Sequence, residues 1–312
     1  MILIMGIPTE PPVKLLLEAA KKIKIPYLML NQREIRFWDL SIKYVNNKFS
    51  GQISLGDQKY DLESFSGIYV RMMDYNHLPE VKDEVFKMVN PREILKISLI
   101  HTKLLEWLVI TKCRILNKPT DMLSNLSKPY QAQIIAECGL KVPSHCITSN
   151  KSSAVSFAQK WGPLIYKSIS SARSIVKELD LNDSEKLNKI KYLPTQFQQK
   201  LEGYNIRVHV VGNKLFATKA VSNVVDYRYA SQDGEEIELL EAQLPKHIEE
   251  SCFKLSAKLN LALCGIDLFL TTQNEYYCFE VNPSPGYSFY QELTGQDIAA
   301  AIANWLAYGD AR

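Results

Sequence analysis

No stretch of this 312-residue chain approaches the ~18 consecutive apolar residues that a membrane span requires. A dominant charge sign is also missing: Lys+Arg is 37 and Asp+Glu is 34, a net of +3 that gives no argument for nucleic acid. The six cysteines (113, 138, 146, 252, 264, 278) form no Cys-x-x-Cys, and the five histidines show no metal-ligand spacing. This pattern argues against a zinc knuckle or disulfide scaffold, and free thiols in a reducing cytoplasm are expected. His145 and Cys146 are neighbours, but adjacent strand residues point to opposite faces, so they make no nucleophile pair. Repeats, low-complexity tracts and a Ser/His/Asp set are absent. Met1–Met5 is too short for a signal peptide and has no basic flank. What is present is ordinary soluble composition, 46% apolar and 23% charged, long enough for two or three domains.

Met1–Met5 reads as a strand, and apolar residues at 13, 16, 17, 20 and 23 predict a helix. Ile25–Leu30 predicts a second strand, parallel to the first. Residues 36–71 read as strands turned at Asn46-Asn47 and Gly56-Asp57, and residues 80–112 as helix broken at Asn90-Pro91. Ile115–Pro119 reads as a crossing between domains. A helix over 127–138 stops at Gly139, followed by a strand near 142–148, a helix near 151–160 and a strand at 163–168. Residues 178–192 read as a surface connection, the chain from Pro194 as β-rich, and 295–307 as a last helix.

The segment 262–286 says most about chemistry. If Gln273-Asn274 is the loop of a hairpin, Thr272 faces Glu275, and counting back Asp267 faces Glu280. Asn282 shares the face of Glu280. Opposed side chains have Cβ atoms about 4.5–5.5 Å apart, and like charges there destabilise. Two acids so placed are expected to hold a cation, and oxygen ligands with one amide suit Mg2+. Ile266, Leu268, Phe279 and Val281 are expected on the opposite, buried face. A second hairpin turns at Gly212-Asn213, with Ile206, Val208 and Val210 on one face and Arg207 and His209 on the other. Arg207 has the planar fork that clamps phosphate or carboxylate. Lys128 opens a helix and Lys167 ends an apolar strand. Ser168–Ser174 reads as a small-residue flap over phosphates.

Taken in order, these pieces resemble the ATP-grasp fold, in the branch of ribosomal-protein-S6 glutamate ligase and glutathione synthetase. The resemblance rests on Lys128 in Ser-Lys-Pro-Tyr-Gln, Lys167 in Leu-Ile-Tyr-Lys-Ser, Gln198–Gly203 and Ile206–Gly212. Gly265-Ile-Asp267 and Phe279–Gly286 carry it most strongly, and it covers about residues 113–307. The N-terminal third resembles the domain that precedes the grasp, and Tyr69-Val-Arg71 is similar to a strand of microviridin-type peptide ligases. The implied architecture is α/β (α+β): a small α/β domain at 1–112, then two α+β subdomains at 113–192 and 193–312 that grip the nucleotide.

By this resemblance ATP and Mg2+ are the cofactors, with Mn2+ an alternative ion. Lys128 and Lys167 would hold phosphates, and Gln198, Gln199, Lys200 and Leu201 would line the adenine slot. Phe279 or Leu268 would pack on the base, with Asn205 near the ribose. Asp267, Glu280 and Asn282 would bind the metal, and Arg207 and Arg228 would serve catalysis. Tyr69, Arg71, Ser284 and Tyr287 would meet substrate. The implied activity joins a carboxylate to an amine, on a small molecule or a peptide, through an acyl phosphate. A phosphotransferase and a non-catalytic nucleotide-binding module are the alternatives. Relatives are often dimers or tetramers, so a homo-oligomer is a further expectation; nucleic acid and membrane are not expected partners.

Overall fold

The computed structural model describes residues 1–169, 176–221 and 238–311. β1 (Ile2–Gly6) is buried at every position, as a strand covered on both faces must be. In α1 (Pro11–Lys22) two prolines occupy the first turn, where no N–H is missed, and Val13, Leu16, Ala19 and Ala20 form the buried stripe. β2 (Tyr27–Asn31) pairs parallel with β1. β3 (Trp38–Val45), β4 (Lys48–Leu55) and β5 (Gln58–Asp61) make a separate antiparallel meander, turned by Asn46-Asn47 and Gly56, all at positive φ. β6 (Gly67–Val70) returns to the first sheet beside β1. The helices α2 (Pro79–Lys82), α3 (Glu84–Val89) and α4 (Pro91–Ile110) lead to β7 (Arg114–Leu116). The order β2-β1-β6-β7 completes a parallel sheet.

After α5 (Lys128–Glu137) come β8 (His145–Thr148), α6 (Lys151–Trp161), β9 (Leu164–Ser168), β10 (Lys177–Glu178), α7 (Ser184–Lys189) and β11 (Thr195–Gln199). These strands form a second sheet, ordered β10-β9-β11-β8. Ala154, Ala158 and Leu187 cover one of its faces, against Leu164 and Phe197. Residues 178–192 therefore contain a helix with buried Leu187, and are more than a surface connection.

β12 (Gly203–Val211), β13 (Lys214–Val221), β14 (Glu238–Ala242), α8 (Lys246–Lys258), β15 (Leu263–Thr271) and β16 (Tyr276–Asn282) follow. They give a third sheet, β14-β13-β12-β15-β16. Ile134 and Ile135 of α5 and Cys252 and Leu255 of α8 pack against Val208, Ile266 and Val281 of its strands. The sequence reading passed over α8, although Ile248, Cys252, Leu255 and Leu259 have helical spacing. α9 (Ser288–Thr294) and α10 (Ile298–Tyr308) close the chain, and α10 packs on α1 and β1.

Sheet membership departs from the expected divisions at 112/113 and 192/193. β7 belongs to the first sheet, β11 to the second, and α5 to the core of the third. Among the described residues no helix is long and apolar enough to cross a membrane.

Candidate active site

One face of the third sheet gathers the polar residues. Across β12 and β15, Arg207 faces Asp267, His209 faces Gly265 and Asn205 faces Phe269. Across β15 and β16, Asp267 faces Glu280 and Gly265 faces Asn282. The expected Asp267–Glu280 pairing is present, but it arises differently. Nearer the loop the register is one residue tighter, with Leu270 opposite Tyr276 and Leu268 opposite Cys278. A β-bulge after Asp267 then leaves Phe279 unpaired and restores the pairing. The bulge also corrects the expected faces. Leu268 is buried in the core, whereas Phe279 stands half-buried against Phe269, ring centroids 5.3 Å apart.

Each of the two acids has a base beside it. Lys128 Nζ lies 2.5 Å from Glu280 Oε2, and Arg207 is ion-paired with Asp267. The Arg207 side chain is only 6% exposed. It lies over Gly265, where a Cβ would sit 2.2 Å from its Nη2; this explains the glycine in a strand interior. The Tyr290 ring centroid is 5.7 Å from Arg207 Cζ and 4.9 Å from the His209 ring. His209 is wholly buried, and among the described residues neither ring nitrogen has a hydrogen-bond partner. Burial first, then the Arg207 charge, holds its pKa well below the ordinary imidazole value. The six cysteines are unpaired, and burial pushes the Cys264 thiol up to about 12, which makes it inert.

Two side chains missed in the sequence set this geometry. Gln131 of α5 clamps the edge of β16, donating to the Val281 carbonyl at 2.8 Å and accepting from its N–H at 2.9 Å. Lys128 lies one helical turn earlier on the same face, so the clamp delivers it to Glu280. Asn117 donates to the carbonyls of Leu263 and Pro283, both at 2.6 Å, and accepts from Leu263 N–H at 3.1 Å. The first could have been found from the glutamine three residues after Lys128; nothing local marks the second.

On the second sheet, Lys167 is directly opposite Gln196, and Ile165 opposite Gln198, on the face away from the packed Leu164 and Phe197. Gln199 falls on the packed face, opposite Leu164. Lys200 pairs with Glu178 at 2.5 Å, and Leu201 is half-buried in the link to β12. Asn205 shares the face of Arg207.

Tyr69, Arg71, Ser284 and Tyr287 also come together, at a joint between the first sheet, the start of α1 and the turn after β16. Arg71 Nε is 2.6 Å from Glu10 Oε1, and its Nη1 reaches Ser284 Oγ at 3.2 Å. Tyr69 is 1% exposed, and burial raises its pKa to about 12. Tyr287 is fully buried and donates to the Pro12 carbonyl at 2.5 Å. Arg228 and the Ser170–Ser174 part of the proposed flap lie outside the described residues.

Among the described residues no three His, Cys, Asp or Glu side chains converge on a metal position. The donors that do share a face are two carboxylates and the Asn282 amide. An all-oxygen set of this kind fits Mg2+.

A family model described as the RimK-like ATP-grasp domain matches residues 127–306. The chain belongs to this family. Among curated relatives, the probable alpha-L-glutamate ligase of Histophilus somni (strain 2336) is 26% identical over 194 residues, 59% of this chain and 64% of the relative. The chain thus spans less than two thirds of that relative's length. The corresponding ligase of Vibrio atlanticus is 30% identical over 119 residues, 38% of either chain. Among solved structures, the Chryseobacterium gregarium RiPP-associated ATP-grasp ligase in complex with ADP and a leader and core peptide matches with a TM-score of 0.81 at 23% identity. That match covers 100% of this chain and 97% of the other. The ATP-grasp ligase PsnB with minimal precursor, Mg and ADP matches with a TM-score of 0.80 at 18% identity, covering 98% and 96%. The likeness in fold to these two ligases covers the N-terminal third as well.

Proposed function

We propose that this RimK-like ATP-grasp protein is an ATP-dependent, ADP-forming ligase that joins a carboxylate to an amine on a peptide substrate. The observation that carries the reading is the row Arg207, Asp267, Glu280 and Lys128, in which each acid is held by a base. A divalent ion accepted by Asp267, Glu280 and Asn282 would release those bases toward phosphate oxygens. Mg2+ there would neutralise charge on the transferring phosphoryl group; the oxygen donors would also accept Mn2+. Lys128 and Lys167 would hold the phosphates, while Gln198, Lys200, Leu201, Asn205 and Phe279 would line the nucleoside. Gln199 would contribute through its backbone.

A substrate carboxylate oxygen attacks the γ-phosphorus and ADP leaves. The amine nitrogen then attacks the acyl carbon, phosphate leaves, and the nitrogen loses a proton. Arg207 steadies the acyl phosphate, and Arg228 holds a substrate carboxylate. The peptide assignment is supported by the peptide-bound state of the Chryseobacterium ligase. Six unpaired thiols fit a reducing cytoplasm.

Incubation with ATP, Mg2+ and a panel of acidic peptides and amines tests the reading. The expected result is free phosphate and a product lighter by one water than its two reactants. Phosphate retained on the product would indicate a phosphotransferase, and ADP binding without turnover across the panel a binding module.

A further inference from the structure

The turn Pro283-Ser284-Pro285-Gly286 has few donors of its own. Two of its four residues lack an N–H, and the Ser284 N–H is spent on the Asn282 side chain at 2.9 Å. Its carbonyls are held from outside. Asn117 takes that of Pro283 at 2.6 Å, and Arg71 Nη1 takes those of Ser284 and Pro285 at 3.5 and 3.3 Å. The same nitrogen also donates to Ser284 Oγ at 3.2 Å. The other edge of the guanidinium is fixed by Glu10, 2.6 Å from Nε, at the residue that precedes α1. Hydrogen bonds therefore run without a gap from Glu10 through Arg71 and Ser284 to the amide of Asn282.

We propose that Glu10 and Arg71 are positioning residues that hold the 283–286 turn and thereby aim Asn282 at the metal face. The inference rests on the ligase reading only in taking Asn282 as a metal ligand. It reassigns Arg71 from a substrate clamp to a brace between the N-terminal sheet and the site. A planar fork suits this task because one group must satisfy a carboxylate and several oxygens of the turn at once; a lysine offers a single nitrogen.

Two measurements on the full chain test the proposal, using Glu10→Gln, Arg71→Met and Arg71→Lys. The first is amide hydrogen exchange read by mass spectrometry. Exchange over residues 284–288 should accelerate about tenfold in all three variants, while β15 keeps its wild-type rate. Failure of Arg71→Lys to restore protection is part of the expectation. Unchanged exchange over 284–288 overturns the proposal. So does acceleration spread equally through α1 and the first sheet, which would mark a general structural role.

The second measurement is calorimetric ADP affinity with and without Mg2+. Arg71→Met should lose about tenfold of the Mg2+-dependent gain, ~1.4 kcal/mol, and keep the Mg2+-free affinity. Local acceleration of exchange with an intact Mg2+ gain would leave the pair bracing only the turn, and would overturn its role toward Asn282. If wild-type protein gains nothing from Mg2+, the metal assignment in the ligase reading fails, and exchange still decides whether the pair holds the turn.

Discussion

The two faces of the third sheet are built from the same strands, yet they have opposite chemistry. On one face Val208, Cys264, Ile266 and Val281 are 0% exposed and packed under α5 and α8. On the other, alternate residues of the same strands present Arg207, Asp267 and Glu280 in a line. The contrast teaches that stability and chemistry are separated here by side-chain alternation alone. A slip of one residue would exchange them. The bulge at Phe279 shows how closely the register is adjusted, since it brings an aromatic residue to the polar face and sets the two acids opposite each other.

Asp267→Asn is the strongest way to sharpen this comparison. It should reduce Mg2+-dependent turnover by about a hundredfold or more while leaving the thermal transition nearly in place, measured by ADP release and calorimetry. A large fall in stability would show that the polar face also carries the fold. The mirror experiment is Leu268→Ala, one residue on and facing the core. It should cost about 3 kcal/mol in denaturant unfolding and leave the nucleotide affinity of the folded protein unchanged.

Gly265→Ala is a subtler break. The added Cβ displaces Arg207 from Asp267, losing a charge-assisted hydrogen bond, so turnover should fall roughly tenfold with little change in nucleotide affinity. Wild-type turnover would mean that Arg207 acts from elsewhere.

The smallest effect concerns His209. Its folded pKa is depressed, so below about pH 6.5 the unfolded chain binds a proton that the native protein refuses. Stability should therefore fall as pH drops through that window and be insensitive to His209 above it. His209→Phe should flatten the slope in chemical unfolding, leaving the part due to His101, which is shifted the same way.

Much of the site was legible because it lies on hairpins. The turn at Gly212-Asn213 and the alternation of Ile206, Val208 and Val210 gave the Arg207 face directly. The Asp267–Glu280 pairing was also read correctly, although the assumed loop was one residue out and the bulge compensated. A bulge of this kind leaves no mark in a hydrophobicity pattern, which is why Phe279 was expected on the wrong face. The sheet to which β7, β11 and α5 belong was not legible either, because strand partnership between distant segments is not a local property of the chain.

Local alternation along Ile206–Val211 and Leu263–Asn282 was enough to decide which acids and amides share a face, since side-chain direction in a strand depends only on the backbone around it. The tertiary structure decided which charges they meet. Lys128 reaches Glu280 from 152 residues away, and Arg71 braces a turn 213 residues on. Such pairings come from the docking of α5 on β16 and of the first sheet on the third. Those dockings are set by the packing of whole surfaces, which no window of sequence contains.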